Sequence, residues 1–232
     1  MKIACWSGPR NLSTAMMYSF ANRTDFTVMD EPFYGSFLRE TGLPHPMASD
    51  VIKAHESDWE KAAASCAVEG RPHVYQKHMC HHILEQTPMG WAEDCRHVFL
   101  IRHPARVLAS YQAKREEVTL NDIGVEQQID LYEEFGGIVI DSADIRDNPE
   151  AMLRALCAAL DLDFDPAMLS WPSGGIAEDG IWAQHWYNAV HKSTGFAGPE
   201  GPLPDLSGHL AELCEDALPA YAILRTQRLK PS

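Results

Sequence analysis

The chain has 232 residues, 45% of them hydrophobic, and its 19 basic and 33 acidic side chains leave a formal net charge of −14. This length and composition predict one folded domain over residues 1–232 and exclude a disordered chain. The negative charge would repel the phosphate backbone of nucleic acid, so we expect no nucleic acid partner.

Five apolar runs of strand type alternate with stretches of helical periodicity. The predicted strands are Lys2–Trp6, Phe26–Met29, His73–Gln76, His97–Ile101 and Gly137–Ile140. The predicted helices are Leu12–Asn22, Asp58–Ala67, His81–Gln86, Ala105–Glu116, Gly124–Glu134, Pro149–Leu160 and Ser207–Leu218. Such alternation is typical of a parallel sheet covered by helices on both faces, so we expect a three-layer α/β fold.

The segment Trp171–Asp205 differs from the rest because it is rich in glycine, proline and aromatic residues and lacks clean periodicity. We expect a long covering loop there, with a helix across Ile181–His191. Its aromatic residues, from Trp182 to Phe196, either line a substrate pocket or close the core.

The polar segment Ser7–Thr14 joins the first predicted strand to the first predicted helix. A helix N-terminus has unpaired backbone N–H groups and the positive end of the helix dipole, so it binds phosphate or sulfate. Arg10 adds a charge, and Ser13 and Thr14 add hydroxyl donors. The segment lacks the second glycine and the lysine of the nucleotide-triphosphate loop, which predicts a chemically different anion loop. The alternative is an ordinary turn in which Asn11 caps the helix.

Other predicted strand ends also carry charged or titratable side chains. Asp30 and Glu31 follow the second strand, Lys77 and His78 follow the third, and Arg102 follows the fourth. Ligands of open α/β sheets bind beyond the carboxyl ends of the strands. We therefore expect one crevice to receive Arg10, Glu31, Lys77, His78 and Arg102 together.

Two motifs give the sequence a resemblance to a known family. SGPRNLST after the first strand and VFLIRHPARVLASY around Arg102 resemble the two cofactor motifs of sulfotransferases that use 3′-phosphoadenosine 5′-phosphosulfate (PAPS). The resemblance implies that the first motif binds the 5′-phosphosulfate through Gly8, Pro9, Arg10, Asn11, Ser13 and Thr14. It implies that Arg102 and Ser110 bind the 3′-phosphate, with Arg106 as a helper.

The resemblance also implies a P-loop-like domain with five parallel strands in the order 2-3-1-4-5. It covers most of the chain, but the sequence departs from the family pattern. His103 replaces the usual aspartate, and Arg10-Asn11 stands where Lys-Ser-Gly-Thr is common. The Arg-Lys-Gly element that often completes the 3′-phosphate site is not found, and Lys192 is a candidate substitute.

Sulfuryl transfer needs charge neutralisation and a base. Its transition state is loose and in line, so we expect Arg10 and Lys77 to neutralise charge on the sulfuryl and leaving oxygens. A general base then takes the acceptor proton. Glu31 is the first candidate because its acidic-proline turn resembles one that supplies a carboxylate in some bacterial sulfotransferases. The alternatives are that Glu31 only braces Arg10, or that His78 is the base.

The run from Lys77 to His82 raises the alternative of a metal site. His78 and His82 are four residues apart, but no third ligand has a suitable spacing and Lys77 would disfavour a cation. We therefore predict no metal.

These patterns predict a PAPS-dependent sulfotransferase that acts on a hydroxyl or amine of a small-molecule acceptor. The alternatives are a non-catalytic nucleotide-binding module and a P-loop phosphotransferase, against which the missing GK[ST] argues. Scattered cysteines without a CxxC pair predict reduced thiols. With no run resembling a signal peptide or membrane span, we expect a cytoplasmic protein without a membrane partner. A homodimer is compatible with the sequence.

Overall fold

The computed structural model describes residues 1–68, 73–112 and 118–231. Its centre is a sheet of parallel strands in the order β2-β3-β1-β4-β5. The strands are β1 (Lys2–Ser7), β2 (Thr27–Asp30), β3 (Val74–Met79), β4 (Arg96–Ile101) and β5 (Ile138–Asp141). The predicted α/β class and strand order are confirmed.

Twelve α-helices connect and cover the strands within these described ranges. They are α1 (Ser13–Ala21), α2 (Tyr34–Thr41), α3 (Ala48–Ala54), α4 (Trp59–Cys66), α5 (Pro104–Gln112), α6 (Leu120–Ile123), α7 (Val125–Phe135), α8 (Ser142–Asp147), α9 (Pro149–Ala159), α10 (Ala183–Trp186), α11 (Asn188–His191) and α12 (His209–Thr226). Short 3₁₀ helices occur at Cys80–His82, Gly90–Asp94 and Pro166–Leu169. No helix in the described ranges is long and apolar enough to cross a membrane.

The predicted helix His81–Gln86 is wrong. The backbone makes only the 3₁₀ turn Cys80–His82, and Ile83 is already extended. The Thr87 hydroxyl then accepts a hydrogen bond from the backbone N–H of Leu84, which ties the following residues into a turn. The predicted helix Ala105–Glu116 is present as α5 as far as Gln112, and its predicted end lies outside the described residues.

The register of β1 against β3 decides which side chains reach each face of the sheet. Cys5 lies opposite Lys77, and Trp6 lies opposite His78. Because side chains alternate along a strand, Lys77 and His78 face opposite sides. Phe20 of α1 stacks on Tyr75 on the Lys77 side, and α7 covers the other side. The carboxyl ends of the strands stay free of these layers and carry the site.

Candidate functional site

A cavity of about 360 Å³ lies at the carboxyl ends of the strands, within the usual size range of small-molecule sites. The predicted site residues that line it are Pro9, Arg10, Asn11, Ser13, Thr14, Glu31, Lys77, Arg102 and Ser110. The structure thus brings most of the predicted residues together in one pocket. Gly8 and His78 do not line it.

The loop before α1 has an unusual backbone. Arg10 and Leu12 have φ values of 62° and 75°, in the left-handed region that bulky residues rarely adopt. Such strain costs about 1–3 kcal/mol per residue and persists only where the surroundings enforce it, often at binding sites. The Asn11 amide donates to the Leu100 carbonyl at 3.2 Å, which fastens the loop to β4.

The N-terminus of α1 is open to an anion. Leu12 occupies the N-cap position and makes no side-chain hydrogen bond to the helix. The alternative in which Asn11 caps the helix is therefore wrong, because its Oδ1, the atom that would accept from the helix N–H groups, has no hydrogen-bond partner among the described residues. The first N–H groups of α1 face the pocket without a capping side chain, as an anion site requires.

Gly8 has a packing role. A Cβ atom at this position would lie 2.2 Å from the carbonyl oxygen of Ile123. Only glycine lets the loop approach the backbone this closely. The structure places Gly8 against the Ile123 backbone and outside the pocket lining, and its contact with a ligand stays a prediction.

Arg10 lies beside the second motif. Its Nε donates to the Ser110 hydroxyl at 2.9 Å. Burial, and then the nearby charge of Arg102, lower the Arg10 pKa. We expected Arg10 to lie at the transferable sulfuryl group, but its contact with Ser110 places the side chain at the end predicted for the 3′-phosphate.

Three arginines meet at this end of the pocket. Arg102 follows β4, Arg106 lies on α5 and Arg146 lies on α8, and each forms an ion pair with the carboxylate of Glu200. Arg146 lines the cavity, whereas Lys192, the substitute suggested by the sequence, is exposed and does not. Arg146 was missed, although its position just after the fifth strand is a signal that could have found it.

Lys77 lies at the opposite end, fully buried under the pocket. Its Nζ donates to Asp30 Oδ1 at 2.8 Å, to Glu31 and to the Tyr187 hydroxyl. Burial acts to lower the Lys77 pKa, but the two carboxylates outweigh it and the pKa is raised. An ammonium group has three donors, so Lys77 has none left for a sulfuryl oxygen. This geometry favours a positioning role over the predicted charge neutralisation.

Glu31 is held in place by its backbone and by Lys77. Its φ is 44°, and its N–H donates to the Lys77 carbonyl at 2.9 Å. Burial raises the Glu31 pKa, Lys77 opposes this shift and the neighbouring Asp30 adds to it. One lysine balances only one of the two carboxylates, so Glu31 can accept a proton. The alternative in which Glu31 braces Arg10 is wrong, because its partner is Lys77.

His78 lies on the far side of the sheet. Its ring stacks on Trp6 at 4.7 Å and on Trp91 at 4.9 Å. Burial, and then the nearby His97 and Lys77, lower the His78 pKa to about 3, so the ring is neutral. The expectation that His78 shares the crevice with Glu31 is wrong, because adjacent strand residues face opposite ways.

A cluster of aromatic and histidine side chains lines the pocket near Glu31. His82 stacks on Tyr34 at 4.5 Å, and its Nδ1 lies 3.8 Å from Glu31 Oε2. The Tyr34 hydroxyl lies 3.0 Å from His45 Nδ1. Burial, and then neighbouring histidines, lower the His82 pKa well below its usual value. Among the described residues, no group of three His, Cys, Asp or Glu could hold a metal ion.

The aromatic stretch that begins at Trp182 both closes the core and lines the pocket. Trp182 is fully buried, and its Nε1 donates to the Tyr187 hydroxyl at 3.0 Å. Tyr187 in turn donates to Asp30 at 2.8 Å, and with Trp186 it lines the pocket. The expected helix over Ile181–His191 is present as the two short helices α10 and α11.

Two curated relatives are similar over almost the whole chain. "Branched-chain-amino-acid aminotransferase-like protein 2" of Arabidopsis thaliana is 36% identical over 96% of this chain, and "Branched-chain-amino-acid aminotransferase-like protein 1" of the same plant is 36% identical over 97%. The match covers only 41% of each relative. The chain therefore spans less than half the length of these curated relatives.

Solved sulfotransferase structures share the fold at low identity. The sulfotransferase domain from the curacin biosynthetic pathway superposes with a TM-score of 0.54, at 16% identity over 98% of both chains. The sulfotransferase from Alicyclobacillus acidocaldarius gives 0.54, at 13% identity over 96% of this chain and 94% of that one. A family model described as "Sulfotransferase domain" matches residues 1–228. With this match over nearly its entire length, the chain belongs to the sulfotransferase-domain family.

Proposed function

We propose that the chain transfers a sulfuryl group from PAPS to a hydroxyl or amine of a small molecule. One observation carries the proposal: the uncapped N-terminus of α1, the arginines at one end and the Glu31 carboxylate at the other all border the same pocket. Anion-binding groups and a proton acceptor are the two components that this transfer requires.

The pocket residues fit an anionic nucleotide donor. Arg102 and Ser142 line the pocket, and their buried Nε and Oγ atoms have no hydrogen-bond partner among the described residues. Buried polar groups normally have partners, so free donors in a pocket are suited to a ligand rich in acceptor oxygens. PAPS would supply an activated sulfuryl group and a nucleotide leaving group.

The position of each residue in the pocket determines its proposed role. The first N–H groups of α1, with Ser13 and Thr14, would bind oxygens of the 5′-phosphosulfate, and they lie at the positive end of the helix dipole. Arg102 and Ser110 would bind the 3′-phosphate. Glu31 would take the proton from the attacking hydroxyl or amine, and Lys77 would hold the Glu31 carboxylate in place.

The remaining expectations stay predictions. They are a small-molecule acceptor, a reaction without metal, one domain over residues 1–232, a cytoplasmic location without membrane or nucleic acid partners, and a homodimer as a compatible state.

Calorimetry with 3′-phosphoadenosine 5′-phosphate (PAP) tests the donor assignment. Wild type should bind it, and Arg102→Ala should bind roughly 10–100-fold more weakly, the effect of losing charge-assisted hydrogen bonds. Arg96→Ala is the control, because Arg96 is exposed at the start of β4. Absence of binding, or an equal effect of both substitutions, would refute the proposal.

Turnover with sulfur-labelled PAPS and a panel of hydroxyl and amine acceptors tests the reaction. Labelled product is expected with wild type. Binding of PAP without any product would support the non-catalytic module instead. Magnesium-dependent turnover of ATP would support the phosphotransferase.

A further inference from the structure

The carboxylate of Glu200 occupies the centre of the group formed by Arg102, Arg106 and Arg146, here called the arginine cage. Arg106 Nε lies 2.8 Å from Oε2, Arg146 Nη1 lies 2.8 Å from Oε1, and Arg102 Nη2 also donates to Oε1. The Glu200 side chain is only 4% exposed. A single carboxylate is therefore buried among three guanidinium groups.

The cage has more positive charge than Glu200 can balance. Three guanidinium groups face one carboxylate. A fourth guanidinium, that of Arg10, lies next to Arg102, and its pKa is lowered mainly by burial and further by the charge of Arg102. Uncompensated charge in a partly buried site is costly. The cage is thus better suited to an anion that carries more than one negative charge.

The hydrogen bonding in the cage is also incomplete. Arg102 Nε and Ser142 Oγ are buried donors that have no partner in the described part of the chain. Glu200 Oε2 is a buried acceptor whose contact with Arg106 is not aligned as a hydrogen bond. A planar carboxylate offers two oxygens, whereas a terminal phosphate offers three in a tetrahedral arrangement and could engage the remaining donors.

The segment that carries Glu200 is hydrogen-bonded to the arginine cage. Within the described residues, the hydrogen bonds to 198–201 come from the arginines: Arg146 Nε donates to the Gly198 carbonyl at 2.9 Å, and Arg106 donates to the Gly201 carbonyl. The segment lies outside helices and strands, and a Cβ on Gly198 or Gly201 would meet nothing. Release of the carboxylate would therefore cost little other structure.

We propose that Glu200 is an internal stand-in for the 3′-phosphate of the nucleotide. In the free protein its carboxylate balances the arginine cage, and on binding the phosphate displaces it and takes over the contacts. This inference rests on the proposed function, because the nucleotide is the source of the phosphate. Its consequence is that Glu200 weakens nucleotide binding by competition and so favours release of the PAP product.

Calorimetry on Glu200→Gln tests the inference with two ligands. Glutamine keeps the shape and removes the charge, so PAP should bind about tenfold more tightly than to wild type. Adenosine 5′-monophosphate lacks the 3′-phosphate and should bind both proteins equally. Glu212→Gln, at an exposed position on α12, is the matched control and should change neither affinity. Equal or weaker binding of PAP to Glu200→Gln would overturn the inference.

Thermal melting with inorganic phosphate tests the displacement of Glu200 independently of whether PAPS is the donor. Glu200→Gln should melt lower than wild type, because the arginines lose their counter-charge, and phosphate should raise its melting temperature more than that of wild type. If PAP binds neither protein but phosphate shows this difference, the assignment of PAPS as donor fails. Displacement of Glu200 from the arginine cage by a phosphate group then still stands. If phosphate shows no difference either, both are refuted.

Discussion

Arg102 donates to the backbone carbonyl of Arg10 at 2.6 Å, and this contact ties the two anion-binding motifs to each other. The motifs are about 90 residues apart in the chain, but β1 and β4 are neighbours in the sheet. The guanidinium that is predicted to hold the 3′-phosphate therefore also fixes the strained loop. Loss of either motif should affect the other.

Replacing Glu31 with glutamine should abolish turnover and leave PAP binding in place, because the amide cannot accept the acceptor proton. The deprotonated carboxylate is the active form, so kcat/KM of wild type should fall as pH is lowered through its pKa. Burial raises that pKa above the ordinary carboxyl range. The pH profile of kcat/KM measures it, and an activity-retaining Glu31→Gln would contradict the role.

Replacing Lys77 with methionine should lower the free energy of unfolding by about 3–5 kcal/mol at neutral pH, because it leaves two buried carboxylates without a counter-charge. Burial already raises the Glu31 pKa, and without Lys77 it would lie still further above its value in the unfolded chain. A group with a raised folded-state pKa stabilises the fold at low pH, so the loss in free energy of unfolding should shrink as pH falls. Urea unfolding at several pH values measures the free energy of unfolding of both proteins, and Lys53→Met, at an exposed position, is the control. A deficit independent of pH would contradict the account.

Replacing His78 with alanine should destabilise the protein by about 1–3 kcal/mol, since it removes a buried ring between two tryptophans. PAP affinity should not change, because the ring faces away from the pocket. Urea unfolding and calorimetry on the same sample give both values. Full stability together with lost turnover would instead support His78 as the base.

Replacing Gly8 with alanine should disturb the anion loop, because the added Cβ would lie 2.2 Å from the Ile123 carbonyl oxygen. We expect a loss of about 1–3 kcal/mol in stability, together with weaker PAP binding. Gly90→Ala is the matched control, since a Cβ there meets nothing. Melting temperature and calorimetry compare the two variants, and equal effects would contradict the role of Gly8.

The sheet could be predicted from the sequence because each strand is a compact apolar run with a clear end. The helices α2, α3 and α8 were missed, because each has eight residues or fewer and so shows too little helical periodicity in the sequence. The region after β3 was misjudged for a related reason. The apolar and histidine residues there satisfy a helical spacing, but local hydrogen bonds stop the helix after one 3₁₀ turn.

The predicted strand ends identified many of the pocket residues, but not all of them. The third strand was predicted to end at Gln76, which placed Lys77 and His78 side by side after it. The strand continues to Met79, which turns them to opposite faces. Tyr187 belongs to the aromatic stretch that was expected to line a pocket or close the core. Glu200 lies in the same irregular segment, but no local pattern marks it, because only packing across the molecule brings its side chain to the arginines.

The arginines follow β4 and β5, and the buried carboxylates Asp30 and Glu31 lie at the end of β2, so the pocket is positive on one side of β1 and acidic on the other. This gradient gives the cavity a polarity along the row of strand ends. A ligand with an anionic and a cationic end would enter in one orientation only. An acceptor amine would be drawn toward Glu31, whereas an acceptor carrying its own carboxylate would be repelled there, which narrows the acceptors worth screening to neutral or basic ones.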